Sequence, residues 1–148
     1  MNEPVRTPDR YGWLEQQSRL LKAGRIQDLD IEQLAEALEQ EMGNERREFY
    51  RRLRILIGHL LKWQYQPDQR SSSWAGIIRV QRKDLAKLLK DSPSLKRFVD
   101  AEILDAYTDA VDLASFETGL PQSSFPADCP YQAQALFDQE FWPGPSAG

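Results

Sequence analysis

The feature that most constrains this chain is the segment Asn44 to Gln64. At about 100° per residue, Phe49, Leu53, Leu56, Leu60 and Trp63 fall in one sector, and Tyr50, Ile57 and Leu61 widen it. Such a stripe fits a helix pressed into a core. It does not fit a strand, whose side chains alternate every second residue. On the opposite side Arg47, Arg51, Arg54, Gly58 and Lys62 follow at spacings of four, three, four and four.

The flanking segments read the same way. Asp9 can cap a helix from about Arg10 to Lys22 that stops at Gly24, and Asp30 can cap another carrying Ile31, Leu34, Ala35, Leu38 and Met42. Gly43-Asn44 should end or bend that second helix. Pro67 forces a break, after which Ser71 to Ser73 offer capping hydroxyls for a fourth helix, about Trp74 to Lys90. Its apolar stripe is Trp74, Ile78, Gln81, Leu85 and Leu88, with Arg79, Lys83, Lys87 and Lys90 opposite. Asp91-Ser92-Pro93-Ser94 makes a turn, and a fifth helix runs from about Leu95 to Thr118, stopping at Gly119. Val99, Ile103, Ala106, Tyr107, Ala110, Val111 and Ala114 give it a small-residue face.

The pattern predicts an all-α, up-and-down bundle of about five main helices. An aromatic, Pro-rich tail from Leu120 onward, with a short helix near Gln132 to Phe137, is expected to pack on it. At 148 residues one domain is expected, with residues 1–9 and the last few residues flexible.

Composition narrows the function classes. A single cysteine, Cys129, forms no internal disulfide, and with one histidine a structural zinc or a carboxylate-bridged metal pair lacks its ligands. No metal and no cofactor is expected. The longest apolar run, Ile55 to Leu61, is far too short to span a bilayer, so a cytoplasmic protein without membrane contact is expected.

The net charge of −4 conceals a sorted distribution. Residues 1–43 hold 5 basic and 9 acidic side chains, residues 44–97 hold 14 and 5, and residues 98–148 hold 0 and 9. Two geometries follow. Either the acidic stripe Glu102, Asp105, Asp109 and Asp112 covers the basic faces, or those faces are bare and await a partner.

Several strings carry a family resemblance: Tyr11-Gly12-Trp13, the run from His59 to Pro67 (HLLKWQYQP), Arg70 with Ser73-Trp74, Asp91 to Leu95, and Phe125-Pro126 with Cys129-Pro130-Tyr131. Over about Tyr11 to Pro143 the chain resembles the bacterial domain-of-unknown-function family numbered twenty-nine. The resemblance implies an all-helical bacterial protein and no established activity.

The residues suggest two places for function. His59, Lys62, Tyr65, Gln66, Arg70 and Ser73 gather around the turn between the third and fourth helices, where a helix N-terminus and two cations favour an anion or a partner carboxylate. The bland alternative is that one of the chain's own acids fills that position. The second place is the basic face, Arg47, Arg51 and Arg54. A non-catalytic protein-interaction role ranks first, with a protein partner or a second copy. A nucleic-acid-associated regulator ranks second, disfavoured by the acidic total. A small enzyme using His59 with Lys62 and Arg70 ranks third, because no nucleophile motif or phosphate loop accompanies the histidine.

Overall fold

The computed structural model describes residues 9–144. All regular structure among them is helical, so the chain is an all-α helical protein. Four long helices, α1 (Arg10–Lys22), α2 (Ile31–Tyr65), α3 (Ser72–Asp91) and α4 (Val99–Thr118), precede a short α5 (Ala133–Phe137). Residues 1–8 of the stretch expected to be flexible, and 145–148 at the other end, lie outside the described residues.

One boundary departs from the sequence reading. The second and third expected helices are a single helix, α2, and Gly43-Asn44 neither ends nor interrupts it. A lone glycine inside a helix costs only about 1 kcal/mol, which the long apolar stripe beyond it outweighs. The fifth expected helix also starts later, because Pro93–Phe98 forms a tight 3-10 turn before α4 begins.

The chain divides into two compact units, Met1–Asn44 and Glu45–Gly148, with α2 running through the boundary. In the first unit Asp9 caps α1 by accepting from the Gly12 N–H at 2.7 Å. Gly24 adopts φ +70°, the left-handed turn after α1 that glycine takes without a Cβ penalty. The buried Gln17 accepts from the Asp30 N–H at 2.9 Å, and Arg10 donates to Gln40 at 2.9 Å, so α1 and the start of α2 run antiparallel as a hairpin.

The second unit holds the hydrophobic core. Phe49, Leu53, Leu56, Ile57, Leu60 and Leu61 of α2 are fully buried, as are Ile78 and Leu85 of α3. The small face of α4 (Ala106, Ala110, Ala114) closes on them, together with Phe125, Tyr131 and Leu136. Gly58 marks a close helix crossing. A Cβ there would stand 2.6 Å from Leu113 Cδ2 and 3.4 Å from the Ala110 carbonyl oxygen.

Polar groups fasten the later segments. Tyr107 donates to the Pro126 carbonyl at 2.5 Å and Tyr131 to Gln64 at 2.7 Å. The Arg82 guanidinium donates to the carbonyls of Leu136 (2.7 Å) and Ala135 (3.1 Å), which lie in α5. Among the described residues no helix is long and apolar enough to cross a membrane.

Candidate functional site

The turn between α2 and α3 is built by Pro67–Gln69, after which Ser71 caps α3 by accepting from the Trp74 N–H at 3.1 Å. His59 and Lys62 lie one turn apart on the last part of α2, both buried. The His59 Nδ1 lies 2.8 Å from the Ile55 carbonyl, the position of an N–H donor. Burial holds its pKa below the usual histidine value, Lys62 adds to that, and the Ile55 carbonyl and Glu117 oppose it. The imidazole is therefore neutral near pH 7.

Lys62 bonds to Glu117 of α4, with its ammonium 4.5 Å from the centre of the Trp74 ring. The acid beside this lysine is thus one of the chain's own. Gln66 turns to the Thr118 carbonyl at 3.5 Å, and Tyr65 meets Phe125 edge-on at 5.5 Å. Arg70 donates through Nε to the Trp63 carbonyl at 2.8 Å and stacks over the Trp63 ring at 5.0 Å. Ser73 is exposed. The structure brings His59 and Lys62 together with Glu117 and Trp74, while Arg70 is committed to Trp63.

Two other arginines of α2, Arg46 and Arg52, meet acids. Arg46 bonds to the buried Glu102 at 2.5 Å and lies over the Phe98 ring at 4.1 Å. Tyr50 bonds to Asp109, which pushes the phenol up to about 12, with burial adding to the effect. Arg52 bridges Glu48 (3.1 Å) and Asp84 (2.9 Å). Arg47 is exposed and engaged, Arg51 is exposed, and Arg54 is half-buried close enough to Tyr50 to oppose its shift. The α4 stripe therefore reaches Arg46 and Tyr50 of α2, and Glu117, beyond the stripe, reaches Lys62.

The face of α3 differs. Arg79, Lys83, Lys87 and Lys90 are exposed, and none has an ion pair among the described residues. Beside them lies an open pocket of about 500 Å³, lined by Arg79, Val80, Arg82, Lys83 and Ala86 on α3 and by Phe137, Gln139, Glu140 and Trp142. Arg79 stands 5.5 Å from the centre of the Trp142 ring. Arg82 is 1% exposed, and its Nη1 has no hydrogen-bond partner among the described residues. Its charge is met by the Trp142 and Phe141 rings, at 5.8 and 6.0 Å. Burial lowers the Arg82 pKa and Asp138 opposes that. Three cations against one carboxylate, Glu140, leave the pocket lining positive.

Among the described residues no group of three His, Cys, Asp or Glu side chains could hold a metal ion. Cys129 donates to the Tyr131 carbonyl at 3.5 Å, and burial pushes its thiol pKa up, away from nucleophilic reactivity.

A family model, Domain of unknown function DUF29, matches residues 7–142. The chain belongs to that family. No curated protein and no solved structure matches it.

In this DUF29 chain, sequence reasoning placed the α3 cations on an outer face and missed Arg82 and Trp142. Arg82 carried a readable signal. It stands four residues after Ile78 and three before Leu85, on the buried row of an amphipathic helix, where an arginine requires partners. The contact of Trp142 with Trp63, at 4.8 Å between ring centres, spans 79 residues and left no local pattern to read.

Proposed function

We propose that this DUF29 chain is a non-catalytic protein-interaction module that holds an acidic segment of a partner protein along α3, beside Trp142. One observation carries the reading: Arg46 and Lys62 of α2 take acids from α4, whereas Arg79, Lys83, Lys87 and Lys90 of α3 have no ion pair among the described residues. A row at spacings of four, four and three presents Arg79, Lys83, Lys87 and Lys90 along one side of a helix. The pocket at its N-terminal part adds an aromatic wall and the field of Arg82. Carboxylates at matching intervals would be steered in by charge and registered by the pocket. The exposed acids of α4, Asp100, Asp105 and Asp112, make a polyanion such as nucleic acid the poorer match for the whole surface.

The experiment uses a fluorescent oligo-glutamate peptide, followed by anisotropy at low salt against the full chain. Charge reversal at Arg79→Glu, Lys83→Glu and Lys87→Glu should weaken binding on the order of tenfold or more with unchanged helicity, and Trp142→Ala should weaken it less. Equal binding by the charge-reversed protein would overturn the reading. Retention of an oligonucleotide but not of the peptide would replace it with a nucleic-acid role.

A further inference from the structure

The first unit is a helical hairpin whose apolar side chains are largely uncovered. Tyr11, Leu14 and Leu21 of α1 and Ile31, Leu38 and Met42 of α2 are between 41% and 72% exposed, and among the unit's described residues the one buried side chain is Gln17. Each helix shows them as a row. Tyr11, Leu14 and Leu21 are three and seven residues apart, and Ile31, Leu38 and Met42 seven and four. Amphipathic helices owe their stability mainly to burial of such rows, and this hairpin buries no large apolar side chain of its own.

We infer that the hairpin pairs with the hairpin of a second copy of this chain, forming an antiparallel four-helix dimer. The area suits it. The six exposed fractions amount to roughly 700 Å² per copy, close to the roughly 800 Å² that each partner gives to a stable interface. The charges say why the occupant is a second copy. α1 holds Arg10, Arg19 and Lys22 against one acid, Glu15, while Arg25 in the turn after it is paired with Asp28 at 2.7 Å. The first part of α2, residues 31–43, holds Glu32, Glu36, Glu39 and Glu41 and no Lys or Arg.

A two-fold arrangement sets the basic α1 of each copy beside the acidic α2 segment of the other, so one surface supplies both signs of its own complement. Antiparallel hairpins packed face to face through rows of this kind are the ordinary construction of four-helix bundles. The inference is independent of the α3 surface.

The test is sedimentation equilibrium of the full chain from about 1 to 100 µM, a range in which a standard-size interface is populated. The expected result is a mass twice the chain's 17.1 kDa. Leu38→Glu with Met42→Glu should give a monomer that keeps the cooperative melting of the second unit. A charge exchange then reads the orientation. Arg19→Glu with Lys22→Glu, and separately Glu36→Lys with Glu39→Lys, should each dimerise at least tenfold more weakly, and an equimolar mixture should recover the wild-type association. A wild-type monomer throughout the range, a dimer untouched by the two glutamates, or a mixture that fails to recover would each overturn the inference.

Discussion

His59 shows how a residue with chemical potential is spent on packing. Its Nδ1 is taken by the Ile55 carbonyl, and the charged groups nearest in effect are Lys62 on its own helix and Glu117 on α4. Burial lowers the folded-state pKa below the value of the unfolded chain, so below about pH 6.5 the unfolded state takes up a proton that the folded state refuses. Stability should therefore fall as pH drops through that region, with a slope from this group of at most about 1.4 kcal/mol per pH unit. Urea melts of wild type and His59→Gln between pH 7.5 and 5.5 check the sign, because the variant should lose the slope there (about two pH units in all). Arg82 is the second case. Arg82→Ala would strip the donors from two α5 carbonyls and leave a cavity, and a loss on the order of 3 kcal/mol is expected in chemical denaturation. Arg82→Met, which restores volume but no donors, should recover only part of it.

Among the elements, α2 shows where local signals yield to longer ones. Gly43-Asn44 reads as a stop, yet residues on both sides continue one helical pattern, and the helix is fixed by Phe49 through Leu61 in the core. The caps were legible because they are local: Asp9, Ser71 and Gly119 all stand where the sequence places them. Two glycines separate propensity from packing. Gly76 lies inside α3 with open space where a Cβ would be, so Gly76→Ala should raise stability by about 0.5–1 kcal/mol. At Gly58 the same change gains less, since the Leu113 methyl must swing aside, and Gly58→Leu should cost about 1–3 kcal/mol by overpacking the α2–α4 crossing. Thermal melts of the three variants provide the comparison.

For the whole molecule, the helical class and the sorted charges could be read directly, because periodicity and charge are properties of the chain itself. The pairing of those charges could not. That Glu102 meets Arg46 and Glu117 meets Lys62, each across more than fifty residues, depends on how α4 lies on α2. Of the six residues expected at the turn, His59 and Lys62 were readable as neighbours because they stand one turn apart on a helix, while the acid that neutralises Lys62 comes from a distant helix. Such pairs orient more than they stabilise, since Arg46 and Glu117 are partly open to water. High salt should accordingly weaken the proposed α3 binding steeply and shift the melting temperature little, which parallel anisotropy and melting titrations would show.

The hold of Arg82 on α5 also bears on the order in which the molecule can be made. A core that needs Phe125, Tyr131 and Leu136 cannot close on a nascent chain until the segment through Leu136 has left the ribosome. The hairpin of α1 and early α2 emerges long before that, with its apolar rows uncovered. On the inferred pairing of hairpins, a truncation that removes α5 should leave their association standing.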